Sequence, residues 1–515
     1  VIKYSVILVN LEFYLYKMIG FIVNFNATSN ATGRYAFKSG EINSKRMDFR
    51  RRQHRCVSMG LKESSERVFS WVSDNGANLS DYSLVQNESL VELVSKKGVR
   101  SDQELIRIAP KLCISGSTSR KVFGKCVDFL DDDEVLIALQ LLYEVHQGKD
   151  SKFELYVSHL QSMSYPNHVL LWTRKELELL RGSPIYISAI NVQKTVRDVY
   201  EQLFEQLIPQ CSSILPADFF TFDRYLWAII IVQSRAFEFL PEFPLVLVPV
   251  LDEINHANFT SDGSGANAAL SVARVGWLRE AQPAIRSITE VKPDAKIRLE
   301  YPGENRGEML LRYGFVDGGV DCVVMKFEVS QFDPFSDDKA DILEQQGLNE
   351  VVLFKVFSDE LETVAKEILQ LSRLISLTAV DAFLLEAVFR SDVWDFMAEP
   401  VSEVNEAAAC AMIISECRAL LEDYMTDEEK DSALKEADGV TLLRSELAST
   451  IVDGEKIVLE KLIAIIQEEV DSMDAKEYYQ ERRLRDLDLL RPVDESEIVD
   501  GSGTRRAGQA FDQYY

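Results

Sequence analysis

Leu247-Val248-Pro249-Val250-Leu251-Asp252-Glu253-Ile254-Asn255-His256-Ala257 is the stretch on which the reading of this chain turns, together with Leu299-Glu300-Tyr301 and Tyr313-Gly314-Phe315 downstream. The apolar, β-branched run from Leu247 to Leu251 reads as a central strand, and closing it with Asn-His puts a polar pair at the edge of a core. Two tyrosines then arrive from a second segment, which Leu310-Leu311 can anchor against the first. On its own, Asn-His after a strand describes a hydrogen-bonded turn as readily as a binding site.

At 515 residues the chain is long enough for two or three domains with full cores. Its 46% hydrophobic and 27% charged content is that of a soluble globular protein. Asp and Glu outnumber Lys and Arg by 83 to 56, a formal net charge of −27. Nucleic-acid affinity draws on cations that neutralise phosphates, so no nucleic-acid partner is expected. Seven scattered cysteines without a C-x-x-C pair indicate neither a disulfide framework nor a zinc site, and five histidines show no metal-ligand spacing. No metal is expected, and chemistry rests on an organic cofactor or on none.

Residues 1–25 are rich in Ile, Val, Leu, Phe and Tyr, but Lys3, Glu12 and Lys17 interrupt the run at a cost that argues against a membrane span. The chain begins at Val, so residues 1–17 read as lying upstream of a start at Met18. From Met18 to Met59, eight Lys or Arg face two acids among many Asn, Ser and Thr, which describes an organelle transit segment. Arg50-Arg51-Arg52 alone is too short to specify a nuclear signal. Residues 1–60 are therefore expected to be a disordered leader, and 491–515, with Gly-Ser-Gly and mixed charges, a disordered tail.

Between them, Leu90–Val94 and Glu104–Ile108 read as a strand pair around a Lys96-Lys97-Gly98 turn. Helices are expected over 131–148, from Thr173 as N-cap with Glu176 at N3, over 190–207 and over 218–239. Strands follow near 268–275, 285–291 and 296–301, then a short helix at 308–313. From 342 to 490 the pattern is helical almost throughout, with 3.6-residue apolar spacing over 349–371, 376–389, 403–424 and 440–471.

Asp252-x-x-Asn255-His256, preceded by Gln233-Ser234-Arg235-Ala236-Phe237 and followed by Tyr301 and Tyr313-Gly314-Phe315, resembles the split catalytic core of SET-domain protein methyltransferases. Within these it is similar to the Rubisco large-subunit lysine methyltransferase branch. Asn405-Glu406-Ala407-Ala408, Tyr424-x-Thr426-x-Glu428-Glu429 and Gly454-Glu455-Lys456 resemble that branch's helical substrate-binding domain. The resemblance implies an α+β fold: a SET-domain β-fold in two parts (61–130 and 233–320) split by a helical insert (131–232), followed by an all-α substrate-binding domain (321–490). It implies S-adenosyl-L-methionine as cofactor, a plastid protein as substrate held by the C-terminal helical domain, a chloroplast stroma location, no membrane partner and a monomer.

The resemblance also assigns roles. Tyr301 would present its hydroxyl to the target amine as the catalytic residue. Asn255, His256, Tyr313, Ser234 and Ser89 would hold the cofactor, and Arg235 and Asp252 would line the substrate side. Ser89 stands where the family has a glycine in its cofactor turn, and Arg312 where it has an acid. No tyrosine occurs between Ala257 and Glu300, where the family places a further channel tyrosine. Two alternatives stay open: a catalytically silent SET-fold binding protein, and a protein-histidine methyltransferase.

Overall fold

A computed structural model describes residues 60–87, 90–258, 265–277, 279–386, 392–435, 437–479 and 481–482. The expected leader and tail and the position of Ser89 lie outside the described residues. The chain divides into two compact units, residues up to 325 with 355–360 and 418–460, and residues 326–354, 361–417 and from 461 on.

In the first unit, α1 (Leu61–Asp74) buries Ser65, Val68 and Val72 and leads to an antiparallel pair, β1 (Tyr82–Asn87) and β2 (Leu90–Ser95). Then follow β3 (Glu104–Arg107), β4 (Ile114–Ser115), α2 (Gly116–Phe123), α3 (Asp133–Gln147), α4 (Glu154–Ser162), α5 (Arg174–Leu177), α6 (Pro184–Gln202) and α7 (Phe222–Arg235). The polypeptide returns to sheet with β5 (Phe237–Phe239), β6 (Phe243–Leu247), β7 (Ala268–Val275) and β8 (Glu280–Ser287), and ends this part in α8 (Arg306–Tyr313). Two three-stranded sheets, ordered β3-β8-β7 and β4-β6-β5, join strands from either side of the helical stretch. Val135 to Leu142 are all buried, so α3 is a core helix, apolar on nearly every side, and it packs against α7. The mixed α+β SET architecture expected from the sequence is the one observed, with a helical C-terminal region.

Several local expectations are corrected. β2 does not pair with β3: it pairs with β1, whose Ser83, Gln86 and Asn87 hide its strand character, while β3 pairs with β8. The central strand stops at Leu247, because Pro249 has no N–H for a ladder and Val250 turns the chain at φ 75°; Leu251–Glu253 is a single helical turn. The helix expected over 218–239 ends at Arg235, where extended Ala236 leads into β5. Ser183 and Pro184 start α6: the Ser183 side chain accepts from the Ile185 N–H, and Pro184 fills the first helical position. Residues 296–301 make isolated bridges, Val94 with Lys296 and His256 with Leu299, and no strand. β8 begins five residues early because Pro283 within it reads as a strand breaker.

In the C-terminal half, β9 (Cys322–Glu328) pairs with β10 (Val351–Phe357), where a helix was expected. Val352, Phe354 and Val356 point inward at a period of two, and the helical period begins only at α10, after α9 (Ser336–Gln345) and β10. α10 (Leu361–Ile375), α11 (Val393–Phe396), α12 (Glu403–Asp423), α13 (Asp427–Leu434) and α14 (Gly439–Asp471) follow, with a 3-10 turn at Ala379–Leu385 where a helix over 376–389 was expected. In the second unit, Arg373 grips Glu406 with two parallel bonds of 2.6 and 2.9 Å, and Lys476 Nζ reaches the same carboxylate at 2.6 Å. The Lys339 ammonium is fully buried and donates to Asp333 Oδ2 (2.5 Å), the Ile375 carbonyl (2.7 Å) and the Leu377 carbonyl (2.8 Å).

Candidate active site

The turn at Val250 is where the site begins. A β-branched residue at positive φ is a strained backbone, held here because Val248, Val250, Leu251 and Ile254 are all buried. The strain throws Asp252 and Glu253 to one side and Asn255-His256 back toward the segment ending in Tyr301. Ala257 N–H donates to the Leu299 carbonyl (2.9 Å) and Leu299 N–H to the Asn255 carbonyl (3.2 Å), so the two segments lie side by side.

Side chains then close the knot. Asn255 Nδ2 donates to the Val91 carbonyl on β2 at 2.9 Å. His256 Nδ1 accepts from the Tyr301 N–H at 3.0 Å, which puts the ring hydrogen on Nε2, 3.2 Å from Asn258 Oδ1. Burial holds the His256 pKa below the usual histidine value and keeps the ring neutral. The Tyr301 hydroxyl donates to the Ile254 carbonyl at 2.6 Å, and the Tyr313 hydroxyl to the Pro302 carbonyl at 3.0 Å. The rings of Tyr301 and Tyr313 lie 5.1 Å apart, with Phe237 at 5.4 Å from Tyr301 and Phe315 at 5.9 Å from Tyr313. Burial pushes the Tyr301 phenol well above its ordinary pKa, so it stays neutral.

Gly314 explains its own place in the Tyr-Gly-Phe triplet. It ends α8 at φ 75°, and a Cβ there would lie 2.8 Å from the His168 backbone nitrogen.

Arg235, at the end of α7, faces the other side of the turn. Its Nη1 donates to the Asp252 carbonyl (2.8 Å) and lies 3.3 Å from Glu253 Oε1, and its Nε meets the Tyr165 hydroxyl. Asp252 Oδ2 accepts from the Tyr156 hydroxyl at 2.7 Å. Burial pushes the Asp252 carboxyl up to about 6 against the pull of Arg235. For Glu253, burial is outweighed by the His159 hydrogen bond and by Arg235, and its carboxyl is held below the usual range. Ser234 Oγ and Asp252 Oδ1 are buried and have no hydrogen-bond partner among the described residues. Unpartnered buried oxygens are costly unless a ligand satisfies them, and a hydroxyl and a carboxylate oxygen fit a small polar group with donors.

The structure thus brings Asn255, His256, Tyr301 and Tyr313 together in one knot, and Ser234, Arg235 and Asp252 at its flank. Sequence reasoning missed Tyr156, Tyr165, His159 and Glu253. The adjacent acids Asp252-Glu253 were the available signal, since two neighbouring carboxylates entering a core demand cations and donors.

A buried phenol among aromatic rings, on a segment that crosses a turn, is an arrangement consistent with a SET-type protein methyltransferase site. Residues 330–459 match the Rubisco LSMT substrate-binding family. The chain is 29% identical over 437 residues to the ribulose-1,5 bisphosphate carboxylase/oxygenase large subunit N-methyltransferase, chloroplastic, of Pisum sativum, covering 83% of this chain and 87% of that one. It is 30% identical over 444 residues to the [fructose-bisphosphate aldolase]-lysine N-methyltransferase, chloroplastic, of Arabidopsis thaliana, covering 84% and 89%. The solved SET domain of LSMT bound to lysine and AdoHcy superposes with a TM-score of 0.68 at 26% identity, over 84% of this chain and 98% of that one. An actin-histidine N-methyltransferase of Gallus gallus is more distant, at 21% identity over 454 residues. The chain belongs to the S-adenosylmethionine-dependent protein-lysine methyltransferases of the Rubisco large-subunit methyltransferase type.

Proposed function

We propose that this chain methylates a lysine of a plastid protein, with Tyr301 facing the amine. The observation that carries the reading is the 2.6 Å bond from the Tyr301 hydroxyl to the Ile254 carbonyl. It commits the phenolic hydrogen to the backbone and leaves the oxygen lone pairs free to accept from an incoming amine. S-adenosylmethionine, when bound, would supply an electrophilic methyl on a sulfonium, which a neutral lysine amine would displace to give the N-methylammonium and S-adenosylhomocysteine.

The residues' task is alignment and desolvation rather than strong base catalysis. Ser234 Oγ and the backbone around Asn255 and His256 would hold the cofactor, Tyr313 would wall its methyl end, and Asp252 Oδ1 would accept on the lysine side. The Arg235 cation beside this space favours the neutral, reactive amine. Residues 61–130 and 233–320 would form the catalytic fold, and residues 321–490, which contain the stretch matching the substrate-binding family, would grip the protein substrate. The basic, acid-poor leader and the chloroplastic relatives support a stromal location.

Labelled-methyl transfer from S-adenosylmethionine into a stromal extract tests this, wild type against Tyr301→Phe. Label on lysine, lost in the variant, is expected. Label on histidine would move the chain to the branch of the actin enzyme, and no label with no cofactor binding would leave a scaffold.

A further inference from the structure

Behind Arg235 lies a run of buried groups that none of the roles above uses. Glu253 Oε1 sits 3.3 Å from Arg235 Nη1 and 2.6 Å from His159 Nε2. Its Oε2 accepts from Ser65 Oγ at 3.3 Å, and His159 Nδ1 lies 2.8 Å from Ser64 Oγ. The side chains of His159, Glu253 and Arg235 are 0%, 8% and 18% exposed, so water screens little of their charge. A core that needed only filling here would do as well with apolar side chains, since buried ion pairs are often no more stabilising than hydrophobic replacements.

We propose that Glu253 and His159 are positioning residues for methyl transfer, acting through Arg235: His159 clamps Glu253, and Glu253 sets the aim and the net charge of the guanidinium beside Tyr301. The proposal rests on the reading of Arg235 and Tyr301 as lining the methyl-transfer site. Other groups facing this cluster are Ser64 and Ser65 from α1, Cys113, Tyr156 from α4, Tyr165, Asp252 and Tyr301. One cation, Arg235, thus stands between two carboxylates. Glu253 offsets part of its field at the amine, and so sets how readily a bound lysine loses its proton.

The test is the pH dependence of labelled-methyl incorporation into stromal protein at limiting extract, from about pH 6 to 10, where a lysine amine titrates. Glu253→Gln removes a negative charge near the ammonium, so the rising limb should move to lower pH by about half a unit or more. S-adenosylmethionine affinity by calorimetry should stay within about twofold. His159→Ala should lower the plateau rate about tenfold or more, and His159→Gln, which keeps a donor, should restore most of it. A purely structural role would lower rates without moving the limb, and a folded Glu253→Gln with an unmoved limb overturns the proposal. Should these variants fail to fold, the His159 imidazole 15N shifts of the wild type, titrated with S-adenosylhomocysteine and free lysine, decide it: movement supports the coupling and none overturns it. A wild type that labels nothing removes the parent reading and this proposal together, a result distinct from an active wild type with an unmoved limb.

Discussion

Glu455→Gln should make the protein's stability less dependent on pH, and the expected size can be worked out. Glu455 lies on α14, buried to 3% exposure, and accepts from Ser183 Oγ at 2.7 Å and from the Tyr424 hydroxyl at 3.0 Å. Among the described residues no cation offsets its burial, and Asp321 lies close enough to oppose its charge, so burial first and Asp321 second push its carboxyl from 4.5 to about 8. A carboxyl whose pKa is raised in the folded state keeps its proton where the unfolded chain has lost it. The unfolded state then binds fewer protons, and stability falls as pH rises through that window, by about 1.4 kcal/mol per pH unit. Between about pH 5 and 8 the wild type should lose roughly 3–4 kcal/mol through this one group. The amide of Gln cannot ionise, so the variant loses that slope. It also turns an N–H toward Ser183 or Tyr424, which costs about 1–2 kcal/mol at every pH. The variant should therefore be the less stable protein near pH 5 and the more stable one near pH 8. Urea unfolding of both proteins across this range checks the crossing. Parallel curves, with a difference that changes by less than about 1 kcal/mol, would refute a buried neutral Glu455.

Gly314→Ala should destabilise by about 2–4 kcal/mol, since positive φ and a Cβ against the His168 backbone act together; thermal unfolding would show it. Lys339→Met should cost about 3–5 kcal/mol by stranding Asp333 and two carbonyls, read as a lower urea midpoint. Tyr301→Phe should lower the methyl-transfer rate by about 100-fold or more while calorimetry finds cofactor affinity little changed; a variant retaining a tenth of wild-type activity would remove the phenol from the mechanism.

What could be read before folding was whatever local spacing encodes. The capping boxes Thr173/Glu176 and Thr426/Glu429 form as their spacing predicts, and the periodic helices 133–147 and 403–423 fall within a few residues of expectation. Asn255, His256, Tyr301 and Tyr313 were visible as separate motifs, and the structure places them in one knot. Pairing across the sequence was not visible. Nothing near Leu90 says that its partner lies upstream, and nothing near Glu253 points to a histidine 94 residues earlier in α4. The positive φ of Val250 could not be foreseen either, because valine is among the residues least expected there and only the surrounding core enforces it.

The reciprocal bonds between residues 254–257 and 299–301 carry a lesson for anyone wishing to retarget this enzyme. The Tyr301 main chain holds the His256 ring, and the Ile254 main chain holds the Tyr301 hydroxyl, so each segment is the other's template. Transplanting either loop alone from a related enzyme would import half of a matched set, and chimeras should be cut so that both travel together.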